Sequence, residues 1–189
     1  METNLAYEEP WREELIGGRW VAMAPPSTNH NRVKGNIYAL FWRYLIGKSC
    51  EVLPDGEGAY LAEGEYYVPD VMVVCDPEKI RPDGVHGAPD LVVEVLSPGS
   101  AAYDRGHKRE VYEAGGVREY WLVSPGDKTL EQYVLREGQF RLNELCAIVP
   151  DWMRERMTPR ELDNLKTEVT CTLYGDLTLS LEDVFSRVT

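Results

Sequence analysis

Apolar positions switch between two spacings along the chain, and the switches divide it into elements. Gly17-Gly18 marks a turn before a strand predicted at Arg19–Ala24, which Pro25-Pro26 ends. Val33, Ile37, Leu40, Tyr44 and Leu45 then recur at helical steps and form one stripe. Ser27, Thr28 or Asn29 can cap that helix, which runs to about Ile46 and is closed by Gly47. Short strands follow at Cys50–Leu53 and Ala59–Ala62, joined by a turn at Pro54-Asp55-Gly56, and a stronger one at Tyr66–Val74. Asp76–Ala88 reads as a polar loop. Asp90–Ser97 is nearly all apolar and β-branched, the pattern of a strand buried on both faces. A helix is predicted over Tyr103–Ala114, ended by Gly115-Gly116, and a second buried strand over Glu119–Ser124. Thr129–Arg136 and Gln139–Glu144 alternate around Glu137-Gly138 as a hairpin.

The order strand–helix–strand across residues 90–124 is a crossover unit of a parallel pair. The expected fold is therefore α/β. A mixed sheet has Asp70, Glu94 and the Glu119–Ser124 strand near its centre, flanked by the helices at Thr28–Ile46 and Tyr103–Ala114. Pro150–Thr170 is polar, with helical stretches at Trp152–Met157 and Pro159–Lys166, and residues 146–172 read as an insertion. Ser180 to Asp183 has the capping-box pattern that opens a last helix, Leu181–Arg187. With 189 residues and 43% hydrophobic composition, the expectation is one domain over residues 1–189.

Composition narrows the class. The first ten residues are acidic and lack an apolar targeting core, and no apolar run is long enough for a membrane helix. The expected location is the cytoplasm. Cys50, Cys75, Cys146 and Cys171 form no C-x-x-C pair, so buried free thiols are expected rather than disulfides or a zinc site. A net charge of −12 argues against nucleic-acid binding, which draws on Lys and Arg. The charge is uneven, however. Leu15–Cys50 holds no acid but contains Arg19, Arg32, Lys34, Arg43 and Lys48, whereas Glu51–Pro98 has eleven acids against Lys79 and Arg81. Such an acidic cluster is also compatible with a merely solvated surface.

Two Pro-Asp pairs, Pro69-Asp70 and Pro89-Asp90, open the buried strands. Glu94 stands among Val92, Val93, Val95 and Leu96, and a carboxylate there needs a cation, a metal or a proton. Phosphodiester hydrolysis needs an activated water and neutralisation of phosphoryl charge, which a divalent ion on two carboxylates can supply. Mg²⁺ suits such a site because it keeps several waters. Lys108, on the helix after the Glu94 strand, is a candidate for stabilising the phosphate charge or steering the water.

Several motifs together carry a resemblance. They are Val68-Pro-Asp-Val71, Pro89-Asp-Leu-Val-Val-Glu-Val-Leu-Ser-Pro98, the spacing Asp104, Lys108, Tyr112, and Gly116 to Pro125 with its Glu-Tyr-Trp-Leu-Val-Ser core. The opening from Gly17 to Ser27, His30 and the ending up to Phe185 match as well. This chain resembles the bacterial family of putative restriction endonucleases within the PD-(D/E)xK nuclease superfamily. The resemblance implies a restriction endonuclease-like fold, DNA as substrate and Mg²⁺ or Mn²⁺ as cofactor. It implies that Asp70 and Glu94 bind the metal and that His30 faces the site. In the wider superfamily the lysine lies two residues after the second acid. Here Leu96 stands there, and Lys108 is the matching lysine. A homodimer is compatible with cutting two strands. The segment Pro150–Thr170 matches no family motif.

Plainer roles stand beside each of these. Asp70 can be a turn residue, Glu94 can pair with an arginine, and Lys108 can be a solvated helix lysine. His30 can be a capping or core-edge histidine. Asp90 is expected to hydrogen-bond at its strand start, Tyr120 and Trp121 to be core. Asp104 and His107 are expected on the surface or paired with Arg105 or Arg109. The other function class open to the chain is a non-catalytic binding or assembly domain on the same fold, and a third reading is a metal-dependent hydrolase of another phosphate ester.

Overall fold

The structure is a computed structural model that describes residues 12–189. In chain order the strands are β1 (Glu13–Ile16), β2 (Arg19–Ala22), β3 (Glu51–Pro54), β4 (Ala59–Ala62), β5 (Glu65–Tyr67), β6 (Val71–Val74), β7 (Ile80–Arg81) and β8 (Gly84–His86). They continue as β9 (Leu91–Val95), β10 (Glu119–Ser124), β11 (Thr129–Arg136), β12 (Gln139–Ala147), β13 (Glu168–Thr170) and β14 (Thr178–Ser180). The helices are α1 (Thr28–Leu45), α2 (Ala101–Tyr103), α3 (Arg109–Gly115), α4 (Asp151–Arg154), α5 (Pro159–Asn164) and α6 (Leu181–Val184). A six-stranded main sheet runs β12-β11-β10-β9-β6-β3, a second runs β2-β1-β5-β4-β8-β7, and β13-β14 forms a ribbon. The α/β expectation holds, with β9 and β10 as the parallel central pair.

Both faces of the main sheet are covered. Val33, Ile37, Phe41 and Leu45 of α1 pack on one face, against Val71, Val73, Val93, Val95 and Trp121. Their burial contributes roughly 6–12 kcal/mol before ordering entropy is subtracted. The helical stripe is thus centred on Phe41, with Leu40 and Tyr44 at its margin. Met72, Val92, Tyr120 and Leu122 face the other way, toward Tyr112 of α3 and Tyr67 and Val85 of the second sheet.

The structure redraws some elements. The Tyr66–Val74 strand is two strands in different sheets, because Pro69 has no N–H to continue a ladder and the chain crosses between sheets at Val68–Asp70. Asp76–Ala88 contains a 3₁₀ turn and the short pair β7-β8. The helix expected at Tyr103–Ala114 begins at Ala101 and passes through a π turn over Asp104–Lys108, broken at Gly106. Cys50 and Cys75 form a disulfide, correcting the expectation of four free thiols, while Cys146 and Cys171 are free and buried. The reason is register: β3 and β6 pair Glu51 with Val74, so the next positions outward are the two cysteines. The last helix stops at Val184.

Glu119, fully buried at the start of β10, ties down the C-terminal segment. Its Oε1 accepts from Trp121 Nε1 and Gln132 Nε2, and its Oε2 from the N–H and hydroxyl of Thr172 and the N–H of Leu173. Among the described residues no helix is long and apolar enough to cross a membrane.

Candidate functional site

Strand pairing places the two acids. β6 and β9 are antiparallel, with Val71 opposite Val93, and extending that register by one residue sets Asp70 opposite Glu94. Asp70 Oδ2 accepts the Val95 N–H at 2.7 Å, which locks its carboxylate to the Glu94 strand. Its other oxygen, Oδ1, accepts from His30 Nε2 at 2.7 Å and lies 3.8 Å from Lys34 Nζ. His30 and Lys34 are one turn apart on α1 and so share its face. Ser27 fixes the start of that helix by accepting the His30 N–H. With Nε2–H donating to Asp70, His30 Nδ1 is left buried with no partner among the described residues.

Glu94, 4% exposed, points from β9 toward α3. Its Oε1 accepts from Lys108 Nζ at 3.2 Å and from the Tyr112 hydroxyl at 2.8 Å. Lys108 is equally buried and also meets Glu14 Oε1 at 2.8 Å and Asp104 Oδ1 at 3.8 Å. Glu14 comes from β1, and the same oxygen accepts the Val68 N–H at 3.0 Å, tying the second sheet to the crossover before Asp70. Burial pushes the Glu94 carboxyl well above its ordinary range; Lys108 opposes this, while Asp104, Asp70 and Glu14 add to it. Burial likewise raises Asp104 against the pull of Lys108. For Lys108 burial disfavours the charge, but Glu94, Glu14 and Asp104 outweigh it and hold the ammonium firmly protonated.

Three carboxylates, Glu14, Glu94 and Asp104, thus face one buried ammonium, and the surplus of negative charge fits a divalent cation. Asp70 and Glu94 offer oxygen donors only, which suits a hard ion such as Mg²⁺ or Mn²⁺. Both hydrogen bonds to Glu94 fall on Oε1. Among the described residues no three His, Cys, Asp or Glu side chains form a ready-made metal cage. Mg²⁺ does not require one, since it takes one or two carboxylates and keeps its waters.

The structure brings Asp70 to His30 and Glu94 to Lys108, and it pairs Glu94 with a lysine instead of an arginine. Asp90 accepts the Cys75 N–H at 2.8 Å and lies 3.3 Å from Arg118, a hydrogen-bonding role as expected. Tyr120 and Trp121 are core. Asp104 is a correction: it is 2% exposed and lies 3.8 Å from Lys108, one turn away on the same buried helix face. His107 is exposed, as expected, and lies 3.6 Å from Glu65. Sequence reasoning missed Glu14, Lys34 and the role of Tyr112. A Gly-Gly turn with a run on each side is a hairpin signal that pointed to β1 and Glu14. Lys34 lies one helical turn beyond His30.

Comparisons with known proteins bear on the fold and the family. Two uncharacterized proteins of Synechocystis sp. are similar in sequence. One, slr1290, is 35% identical over 136 residues, covering 70% of this chain and 72% of its own length. The other, sll1609, is 30% identical over 141 residues, covering 72% of this chain and 80% of its own. The fold is similar to the crystal structure of a putative nuclease belonging to DUF820 from Anabaena variabilis, with a TM-score of 0.63 and 18% identity, covering 94% of this chain and 91% of that one. The profile of the Uma2 family, described as putative restriction endonuclease, matches residues 1–168, and the chain belongs to that family.

Proposed function

We propose that the protein is a Mg²⁺-dependent endonuclease that hydrolyses DNA phosphodiester bonds, with Mn²⁺ able to substitute. The observation that carries this reading is the cross-strand opposition of Asp70 and Glu94 with the Lys108 ammonium bound to Glu94. The family description and the nuclease description of the Anabaena neighbour support it. Asp70 and Glu94 would hold the ion, which when bound supplies phosphoryl charge neutralisation and a more acidic water. Lys108 stabilises charge developing on the phosphoryl group or orients the attacking water. Glu14 and Asp104 keep its ammonium charged and aimed at Glu94. His30 donates to Asp70 Oδ1 and so orients that carboxylate. A homodimer would give two such sites for the two strands.

Calorimetry with Mg²⁺ and Mn²⁺, run with a supercoiled-plasmid nicking assay, tests the reading. Wild type is expected to take up metal and nick DNA, and Asp70→Ala and Glu94→Ala to lose both. Metal uptake that survives both substitutions, or its absence in wild type, would leave a binding or assembly domain on a nuclease fold.

A further inference from the structure

Arg12 and Lys34 converge on a single carboxylate at the margin of the site. Lys34 Nζ lies 2.7 Å from Asp55 Oδ2 and 3.8 Å from Asp70 Oδ1, so it stands between the two acids. Arg12 pairs with the same Asp55 oxygen. Asp55 sits on the turn between β3 and β4, and the next residue, Gly56, has φ +111°. A Cβ on Gly56 would come within 3.4 Å of Arg12 Nη2, so the turn leaves room for the guanidinium to lie over it. The Arg12 backbone is held as well, its carbonyl accepting the Met23 N–H at 2.8 Å. The Lys34 side chain is only 12% exposed, whereas that of Arg12 is 53% exposed and open to a ligand.

Arg12 and Lys34 face Asp55, and Lys34 also faces Asp70, so a metal held on Asp70 would leave this cluster with one carboxylate against two cations. Around Lys108 the sign is reversed, with Glu14, Glu94 and Asp104 against one ammonium. The site is therefore polarised, with Asp70 at the boundary. Of the basic residues between Leu15 and Cys50, Lys34 is the one brought against Asp70. A phosphodiester strand bound beside a metal on Asp70 and Glu94 would present its next backbone phosphate to such a cationic margin. We propose that Arg12 and Lys34, bridged by Asp55, form a phosphate subsite that grips the nucleic-acid backbone next to the scissile bond. This rests on the nuclease reading above. Phosphate oxygens would share the ammonium and guanidinium protons with Asp55, which keeps both cations in place before substrate arrives.

The test uses anisotropy of a labelled duplex oligonucleotide in chelator, so that no cleavage occurs, over a salt series, together with plasmid nicking in Mg²⁺. Lys34→Met is expected to weaken binding about fivefold to tenfold and to reduce the salt slope by about one phosphate contact. In nicking it should raise KM more than it lowers kcat. Arg12→Met should act in the same direction. Asp55→Asn is the discriminating variant: it frees both cations, so duplex affinity is expected to hold or rise even as Tm falls. The subsite is overturned if Lys34→Met binds with unchanged affinity and slope. It is equally overturned if Asp55→Asn loses affinity in parallel with Lys34→Met, the mark of a purely structural bridge. Wild type that nicks and binds while Lys34→Met matches it removes only the subsite. Wild type that neither nicks nor binds removes the nuclease reading itself.

Discussion

Glu94 and Glu119 lie on adjacent parallel strands, both are buried, and their surroundings differ in kind. Glu119 accepts from five N–H or O–H groups of the protein, and among the described residues no cation lies within ion-pair distance of it. It is an internally solvated anion whose work is to fasten Thr172 and Leu173 to the central sheet. Glu94 receives one hydroxyl and one ammonium, and other acids crowd it. Saturated hydrogen bonding around a buried carboxylate indicates architecture, whereas a carboxylate left in a field of like charge indicates a place for a cation.

That contrast can be broken by substitution. The largest expected effect is on chemistry: Glu94→Gln should lower plasmid nicking about 100- to 1,000-fold while leaving a cooperative melt. Glu119→Leu should do the reverse, costing roughly 3–5 kcal/mol in urea unfolding because several donors lose their acceptor, with metal uptake retained in the folded fraction. Lys108→Met tests the charge surplus directly. It removes the only ammonium that, among the described residues, faces Glu94, Glu14 and Asp104, so Tm should fall, and added Mg²⁺ should raise Tm more than it does for wild type. Equal Mg²⁺ shifts in both proteins would count against cation binding at Glu94. Tyr112→Phe deletes one hydrogen bond to Glu94 and should cost about 1 kcal/mol.

The smallest effect concerns the thiol neighbouring Glu119. Burial raises Cys171, with the Glu119 charge adding to it, and burial pushes Cys146 up to about 11. At pH 8 both thiols stay protonated, below the pH at which thiolate forms, so a thiol reagent should label them only on unfolding. Rapid labelling of the native protein at pH 8 would contradict the packing of this region.

What could be read from the chain was whatever depends on near neighbours. The apolar runs at β9 and β10 announced buried central strands, and Glu94 stood out because a charge interrupted one of them. The α1 stripe was readable for the same reason. What escaped depends on distant pairing. Glu14 sits on a four-residue strand whose importance comes from Lys108, far along the chain. Asp104 shares the helical face of Lys108 and Tyr112 at four-residue steps, but that this face is the buried one depends on Glu94 and Glu14 arriving from other elements. Cys50 and Cys75 meet only because β3 and β6 pair in one register. Pro69 was visible but was absorbed into a single strand, although its missing N–H marked the passage between sheets.

The ladder between β6 and β9 has a consequence for how the fold tolerates change. Because the two acids face each other across one antiparallel pairing, extended by one position, their spacing is indifferent to the length of the 76–88 connection between them. Insertions there could accumulate without moving either carboxylate, whereas slipping the pairing by a single position would turn Val93 toward the acids' side and send Glu94 into the layer filled by α1. Drift in the connecting segments is cheap, and drift in the rungs is forbidden.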